Sequence, residues 1–318
     1  MTPVPLVTLD DARRAQAALA GRVHRTPVSR SATLSALTGT NLHLKLELFQ
    51  KTGSFKARGA LNRIDELSEA ERARGVVTIS AGNHAAAVSW AARSVGAPAT
   101  VVMPSKAAQS KVDATRGYGG TVILTDGDLL ATALALKEER GLTMVHPFDD
   151  RGVIAGAATL GLEIAEDLAD ADVVLVGCGG GGVLSGIAVA VRALNPACRI
   201  VGVEPEGAPA MRLSLDRGSP QRIETIDTIA DGLAAPFAGN LTFEHVLRLN
   251  LEIVTVTDAA IVEAMWLLIE RCKVTAEPAA AAGLAALLSG RVAVEPGAKV
   301  VCVVTGGNID RTRLRALA

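Results

Sequence analysis

Aromatic residues are scarce in this sequence of 318 residues, which contains only 5 Phe, 2 Trp and 1 Tyr. Large rings therefore cannot fill the interior, and Ala, Val, Leu and Ile must build the cores. Hydrophobic residues make up 49% of the chain and charged residues 20%, which supports an extensive buried interior. The length exceeds the usual size of one hydrophobic core, so we expect two domains.

The sequence also lacks the features of exported, membrane-spanning and zinc-binding proteins. The cysteines form no Cys-x-x-Cys pair and have no His cluster beside them, which predicts reduced thiols and no zinc site. There are four of them: Cys178, Cys198, Cys272 and Cys302. No signal peptide is recognisable at the N-terminus, and Gly or charged residues interrupt every apolar run within about ten residues. We therefore expect a soluble, cytoplasmic protein.

Charge of either sign is not in excess. The chain has 32 Lys and Arg against 33 Asp and Glu, and its formal net charge is -1. Without a basic stripe there is no electrostatic reason to expect nucleic acid or an anionic membrane as a partner.

One pattern recurs along the chain: a short run of β-branched residues, a turn of small residues and an Ala-rich helix. Residues 76–79 followed by 84–95 show it, as do residues 173–176 followed by 183–194. Continuous Val and Ile runs are typical of strands buried on both faces, and helical crossovers imply parallel pairing. The sequence therefore predicts an α/β fold with open, doubly wound sheets, whose ligands bind beyond the carboxyl ends of the strands.

The first unusual turn is the stretch TGSFK at residues 52–56. The alternating run 42–48 before it predicts a strand with one buried face, and residues 57–67 have helical spacing. We expect Ser54 to cap this helix and Lys56 to stand at its start. A helix N-terminus disfavours a cation, and the same field helps to keep an amine neutral and able to attack a carbonyl. The alternative is an ordinary solvated surface lysine.

A second turn, SAGNH at residues 80–84, follows the predicted strand 76–79 and opens a helix. Backbone N–H groups at such a turn can bind an anion, and the Ser80 and Asn83 side chains add directed hydrogen bonds. The alternative is a common capped turn, with His84 as a histidine at a helix start.

The third turn is glycine-rich: GCGGGG at residues 177–182 follows one predicted strand and opens the helix 183–194. Consecutive glycines let backbone amides approach an anion closely, so a phosphate site is expected here. The same string satisfies G-x-G-x-x-G, and Glu204 lies about twenty residues later at a strand end. A dinucleotide site is therefore a rival hypothesis.

The fourth turn, TGGN at residues 305–308, follows the last predicted strand, 300–304. Its hydroxyl and glycines point to the same crevice, although a tight turn before a short C-terminal helix is the alternative. A lysine amine, an amide loop, a phosphate loop and a hydroxyl together suit a ligand that carries an aldehyde, a ring and a phosphate. That ligand is pyridoxal phosphate.

The order SFK, SAGNH, GGGG and TGGN closely resembles the fold-type II pyridoxal-phosphate enzymes, specifically the serine/threonine dehydratase and serine racemase group. The resemblance covers nearly the whole chain and extends to Glu277-Pro278. It implies two open, twisted parallel-sheet domains with the cofactor in the cleft between them. Residues 1–50 and 148–318 would form the large domain, and residues 51–147 a small mobile domain that closes over substrate.

The resemblance also implies roles for individual residues. Lys56 would hold the cofactor covalently and act as the catalytic base, Asn83 would bind the 3-oxygen of the ring, and Thr305 would face the pyridine nitrogen. The glycine loop would hold the phosphate, and the substrate carboxylate would be bound by the SAGNH turn. The full set of expected cofactor residues is Phe55, Lys56, Asn83, Gly179, Gly180, Gly181, Gly182, Val183 and Thr305, and that of substrate residues is Ser80, Gly82, Asn83 and His84.

The activity that this resemblance implies is dehydration of L-threonine, L-serine or a related β-hydroxy amino acid to a 2-oxo acid and ammonia. Ala81 replaces the serine that racemases of this group use as an acid/base, which argues against efficient racemisation. Ala210 replaces an acidic residue in a stretch, beginning at Glu204, that resembles the divalent-cation site of the group. A homodimer is expected from the resemblance.

Several alternatives stay open from sequence alone. Serine racemase and 3-hydroxyaspartate dehydratase belong to the same group, and the β-substituent of the substrate is not fixed by the residues. An NAD-dependent oxidoreductase would use residues 177–182 and Glu204, but it leaves Lys56, Asn83 and Thr305 without a role. A non-catalytic amino-acid-binding regulator is disfavoured by the intact lysine.

Overall fold

The computed structural model describes residues 5–318, so residues 1–4 of the predicted large domain lie outside the described residues. Residues 5–318 form two sheets. The ten strands are β1 (Val28–Arg30), β2 (Asn41–Leu46), β3 (Val76–Ile79), β4 (Ala99–Pro104), β5 (Gly120–Thr125), β6 (Thr143–Met144), β7 (Val173–Gly177), β8 (Arg199–Pro205), β9 (Glu252–Val256) and β10 (Lys299–Val304).

Helices connect the strands and cover the sheets. The α-helices are α1 (Leu9–Leu19), α2 (Ala32–Thr38), α3 (Lys56–Asp65), α4 (Glu69–Arg74), α5 (Asn83–Ser94), α6 (Gln109–Gly117), α7 (Leu129–Arg140), α8 (Arg151–Asp167), α9 (Gly182–Leu194), α10 (Ala210–Arg217), α11 (Asn240–Arg248), α12 (Asp258–Cys272), α13 (Pro278–Leu288) and α14 (Arg311–Ala316). Short 3-10 turns occur at Glu47–Phe49, Lys51–Gly53 and Asp231–Leu233.

The larger sheet has the strand order β1-β2-β10-β7-β8-β9, and the smaller sheet has the order β5-β4-β3-β6. All pairs are parallel except β1 with β2, which is antiparallel at the edge of the larger sheet. The prediction of parallel sheets is therefore correct apart from β1. That strand returns to β2 through the short helix α2, too short a connection for a parallel crossover.

The continuous apolar strands are buried on both faces, as predicted. In β10, Val300 and Cys302 belong to the core on the α12 and α13 side, whereas Val301 and Val303 belong to the core on the α9 side. Because successive side chains of a strand point to opposite faces, such a strand needs an apolar residue at every position. The carboxyl end of β10 is thereby fixed between two packed layers.

Helix α8, of 17 residues, was missed by the strand-turn-helix pattern. It packs against α3 and α9 at positions where only glycine fits. A Cβ added to Gly156 would lie 2.5 Å from the Arg58 carbonyl oxygen, and one added to Gly161 would lie 2.7 Å from that of Ile187. Small residues thus replace large ones at these helix contacts, which is how a chain poor in aromatics closes its core.

The prediction that β2 has one buried face was wrong, because charged residues occupy its second face. Lys45 on that face and Glu47 in the turn directly after β2 are both fully buried. Arg58 donates to both Glu47 oxygens at 2.8 Å, and its Nη1 donates to Glu163 Oε1 at 2.7 Å. Lys45 Nζ donates to Glu163 Oε2 at 2.6 Å. These four side chains form a buried network with no net formal charge, which joins the start of α3 to α8.

The two tryptophans belong to different parts of the fold. Trp90 lies in α5 and packs against the apolar core beneath the smaller sheet. Trp266 lies in α12 beside the larger sheet, and its Nε1 donates to the Leu317 carbonyl at 2.8 Å. The smaller sheet is built from residues 76–144, within the range predicted for the small domain, whose boundary stays a prediction. Within residues 5–318, every helix is too short or too polar to cross a membrane.

Candidate functional site

The turn that contains Lys56 (residues 52–56) and the turn that begins at Thr305 (residues 305–308) follow adjacent strands and contact each other. Strand β2 pairs with β10 in a register that places Leu46 opposite Val304. Beyond these strands, Ser54 forms an isolated antiparallel bridge with Gly306. The Phe55 N–H donates to the Thr305 carbonyl at 3.0 Å. The two turns are therefore held together by backbone hydrogen bonds at the carboxyl edge of the larger sheet.

Lys56 is the first residue of α3, as predicted, but Ser54 does not cap the helix. The N-cap residue is Phe55, without a side-chain hydrogen bond. Ser54 is extended because it pairs with Gly306, and its buried Oγ has no hydrogen-bond partner among the described residues. Pairing with the last turn thus takes precedence over capping.

The Lys56 amine has a lowered pKa, so both its charged and its neutral form are present near neutral pH. Its Nζ donates to the Pro147 carbonyl at 2.6 Å. Burial lowers the Lys56 pKa to about 8, and the nearby carboxyl of Glu277 opposes this shift. An amine with a pKa of about 8 is roughly one tenth neutral near pH 7, and the neutral form is the one that can attack a carbonyl.

The SAGNH turn contacts the TGGN turn from the other side of the site. Helix α5 begins at Asn83, whose Nδ2 donates to Glu277 Oε1 at 2.7 Å. Asn308 Nδ2 donates to Asn83 Oδ1 at 2.8 Å. Ser80 Oγ accepts from the Gly82 N–H at 3.1 Å and shapes the turn. Ser80, Gly82 and Asn83 are all partly exposed, so they remain accessible to a ligand.

His84 is buried behind the turn. One ring nitrogen, Nε2, lies 3.1 Å from the Val145 carbonyl and must donate to it, while Nδ1 has no partner among the described residues. Burial, reinforced by the charge of Lys56, lowers the His84 pKa to about 3. The imidazole is therefore neutral at physiological pH, so it offers an acceptor rather than a positive charge.

The glycine loop connects β7 to α9 under tight packing. Gly181 has φ +92, and a Cβ at Gly180 would lie 2.4 Å from the Phe148 ring. Thr242 Oγ1 donates to the Gly180 carbonyl at 2.6 Å. Part of the need for glycine thus comes from protein packing, which the sequence analysis had assigned to an anion alone. Thr242 belongs to segment 214–250, which therefore packs against the glycine loop.

The start of α9 faces Lys56. A cavity of about 10 Å³ is lined by both elements, including Lys56, Phe55, Gly182 and Val183. No side chain caps α9, and the first N–H groups of a helix have no partner within the helix. The Lys56 amine and the uncapped start of α9 are therefore neighbours. An amine of lowered pKa beside an uncapped helix N-terminus is a combination that suits a phosphorylated aldehyde.

Glu204 does not have the role that a dinucleotide site requires. Its carboxylate is fully buried, and its two oxygens accept from the N–H groups of Met211 at 2.7 Å and Arg212 at 2.8 Å. Both oxygens are engaged in capping α10, so neither is offered to a ribose. Among residues 5–318 no cluster of three His, Cys, Asp or Glu side chains could hold a metal ion.

The sequence analysis did not predict that Glu277 contacts Asn83 or that Arg58 binds two buried carboxylates. Glu277 appeared only as one matching residue of a resemblance, and Arg58 not at all. The one local signal for Glu277 is an acid directly before a proline that starts a helix. Its contact with Asn83 joins residues 194 positions apart in the sequence, so no local sequence pattern could have predicted it.

Gly181 provides a test of the glycine loop. A Cβ there would meet Met211 Cε at 2.7 Å and Thr242 Cβ at 2.9 Å, whereas Gly96, also at positive φ, has nothing within 4 Å. We expect G96A to cost about 1–2 kcal/mol of unfolding free energy from backbone strain. G181A should cost about 1–3 kcal/mol more from overpacking. Urea unfolding of both cofactor-free variants checks this, and equal costs would contradict the tight packing.

Comparison with known proteins places the chain among pyridoxal-phosphate proteins. The sequence model of the family described as "Pyridoxal-phosphate dependent enzyme" matches residues 19–306. L-threonine ammonia-lyase of Thermotoga maritima is 48% identical over 309 residues, which cover 96% of this chain and 76% of that protein. Serine racemase of Oryza sativa subsp. indica is 43% identical over 305 residues, 94% of this chain and 90% of that protein. The structure of maize serine racemase has a TM-score of 0.94 and 40% identity, and the match covers 98% and 97% of the two chains.

Proposed function

Since the chain belongs to the pyridoxal-phosphate dependent enzymes, we propose that it converts L-threonine, L-serine or a related β-hydroxy amino acid to a 2-oxo acid and ammonia. The arrangement around Lys56 supports this activity most directly. A lysine with a pKa lowered to about 8 lies beside the N-terminus of α9 and is bound through Phe55 to the Thr305 turn. The relatives named L-threonine ammonia-lyase and serine racemase align with 96% and 94% of this chain.

The residues that would hold the cofactor come from all four turns. Lys56 would hold its aldehyde carbon covalently, and the N–H groups of Gly179, Gly180, Gly181, Gly182 and Val183 would bind its phosphate. Asn83 would donate to the 3-oxygen of the ring, Thr305 would face the pyridine nitrogen, and Phe55 would lie against the cofactor. When bound, pyridoxal phosphate withdraws electrons from the substrate α-carbon.

The chain's own groups then handle the protons. The Lys56 amine would take the α-proton of the substrate at Nζ, and its lowered pKa matches that role near neutral pH. The hydroxyl of Thr305 is uncharged, so it would not hold a proton on a pyridine nitrogen as a carboxylate would. This combination favours loss of the β-hydroxyl over transfer of the amino group.

The SAGNH turn would bind the substrate carboxylate. Its donors are the backbone N–H groups at the start of α5, including that of Asn83, and the hydroxyl of Ser80. His84, neutral because of burial, would support this site without adding charge.

A second candidate activity is racemisation of serine, which the 43% identity with serine racemase favours. Ala81 argues against it because a methyl group cannot exchange a proton with the face of the substrate opposite Lys56. Dehydration of 3-hydroxyaspartate is a further alternative that the residues do not separate from threonine. We expect elimination to exceed racemisation.

The proposal also includes the division into domains, the number of subunits and the location of the protein. Residues 51–147 would form a small domain that closes over substrate against residues 1–50 and 148–318, and the protein would act as a homodimer in the cytoplasm. Small-angle scattering with and without substrate would detect closure, and sedimentation would give the number of chains.

The activity is tested with purified protein loaded with pyridoxal phosphate. We expect a visible absorption band that borohydride bleaches, and release of equal amounts of 2-oxo acid and ammonia from L-threonine or L-serine. D-serine and 3-hydroxyaspartate should be tested as further substrates for release of 2-oxo acid. Racemisation should be tested separately, by measuring whether D-serine forms from L-serine. Failure to take up the cofactor, or uptake without any 2-oxo acid, would contradict the proposal.

A further inference from the structure

A chain of side-chain hydrogen bonds runs through the candidate site. Asn308 Nδ2 donates to the Thr52 carbonyl at 2.7 Å and to Asn83 Oδ1 at 2.8 Å. Asn83 Nδ2 in turn donates to Glu277 Oε1 at 2.7 Å. The chain therefore links the Lys56 turn, the TGGN turn, helix α5 and the residue before α13.

The direction of every bond in this chain is fixed from one end. A backbone carbonyl can only accept, so the atom of Asn308 that faces Thr52 must be its NH₂ group. The second hydrogen of that group then requires an acceptor on Asn83, which must be Oδ1. The amide of Asn83 is thereby turned so that its NH₂ group faces Glu277, and a carboxylate is the matching acceptor.

Glu277 is held rigidly in the place where this acceptor is needed. It is 9% exposed, and its N–H donates to the Gly306 carbonyl at 3.1 Å. A Cβ at Gly306 would lie 2.5 Å from Glu277 Oε1, so only glycine permits this approach. Glu277 precedes α13 but makes no side-chain cap bond to it. Its carboxyl is therefore used for Asn83 rather than for the helix.

Asn83 has one amide hydrogen left over. Of the two hydrogens on Nδ2, one is given to Glu277, and Asn83 is partly exposed to the site. We propose that Glu277 is a positioning residue, which holds the Asn83 amide so that it presents a hydrogen-bond donor, and not its oxygen, to the bound cofactor. The inference rests on the proposed function, because a donor at this point suits the anionic 3-oxygen of pyridoxal phosphate.

Two substitutions separate this role from a general structural one. E277Q keeps an oxygen that can accept from Asn83, whereas E277M has similar length and no acceptor. We expect E277M to raise the dissociation constant for pyridoxal phosphate at least tenfold and to shift the visible band of the loaded protein, with a larger fall in kcat than rise in KM. E277Q should restore the dissociation constant to within threefold of the wild-type value and return the band to its original position.

The orientation of the Asn83 side-chain amide can also be measured in the cofactor-free protein. The sequence has seven asparagines, so the side-chain amide of Asn83 can be followed by NMR in protein labelled with ¹⁵N-asparagine and assigned by its loss in N83D. We expect its two amide protons to differ widely in chemical shift in the wild-type protein and in E277Q, and to converge in E277M.

The outcomes distinguish the two proposals. Wild-type protein that takes up no pyridoxal phosphate contradicts the proposed function, while the NMR experiment still decides the role of Glu277. Unchanged amide shifts, cofactor affinity and visible band in E277M would overturn that role. If E277M does not fold, N308A removes the bond from Asn308 and leaves Glu277 as the partner that orients Asn83. Convergence of the two Asn83 amide shifts in N308A would then overturn the positioning role of Glu277, whereas the proposal expects them to stay widely separated.

Discussion

Replacing Lys56 with alanine is expected to abolish turnover of L-threonine and L-serine. Loss of a positioned general base alone typically lowers a rate by about 10²–10⁴-fold, and K56A also removes the group proposed to hold the cofactor covalently. The combined loss should therefore exceed that range. The measurement is 2-oxo acid release by K56A loaded with excess pyridoxal phosphate, together with its visible spectrum after gel filtration.

A second lysine serves as the matched control. Lys106 is exposed and lies in the loop before α6, so K106A should keep full activity and retain the cofactor. Both variants should unfold at similar urea concentrations, because the Lys56 amine makes one hydrogen bond, to Pro147. Activity of K56A above about one tenth of wild type would rule out Lys56 as the catalytic base.

Replacing Arg58 with methionine is expected to destabilise the protein by about 3–5 kcal/mol, the usual cost of removing one partner from a buried ion pair. The Arg58 guanidinium is fully buried and bonds to both Glu47 and Glu163. Methionine would leave Glu47 without a cationic partner in a site closed to water. Urea unfolding of the cofactor-free protein measures this loss without interference from bound cofactor.

Arg25 is the matched control for this experiment. It also contacts two carboxylates, Glu166 and Asp167, but its side chain is 51% exposed. Exposed pairs contribute about 0–1 kcal/mol, so R25M should stay within that range. If R58M were no less stable than R25M, the buried network would not be what joins α3 to α8.

The sequence analysis predicted correctly those strands, helices and turns that are indicated by a local pattern of residues. The strands 76–79 and 173–176 and the helix that follows each were found because β-branched runs and Ala-rich helices alternate. The four turns were recognised because each follows a predicted strand, at the edge of the sheet where ligands bind. The family followed from their order, and the family match over residues 19–306 confirms it. The roles assigned to individual residues stay predictions.

The failures occurred where distant segments decide the outcome. The polar face of β2 was expected to be exposed, since nothing near Lys45 indicates that Glu163 on α8 will cover it. Ser54 was expected to cap α3, but a backbone pairing with Gly306 holds it extended. Glycines such as Gly180 were assigned to a ligand alone, although Phe148 also occupies the space. Each of these contacts joins residues far apart in the chain.

The scarcity of aromatic residues has a practical consequence for spectroscopy. Indole fluorescence in this protein has two sources only, Trp90 in the helix that begins at Asn83 and Trp266 in α12. A W266F variant would therefore emit from α5 alone, and a W90F variant from the side of the larger sheet. Each sheet thus has its own fluorescent reporter, so that events at the two sheets can be timed separately in parallel stopped-flow experiments on the two variants.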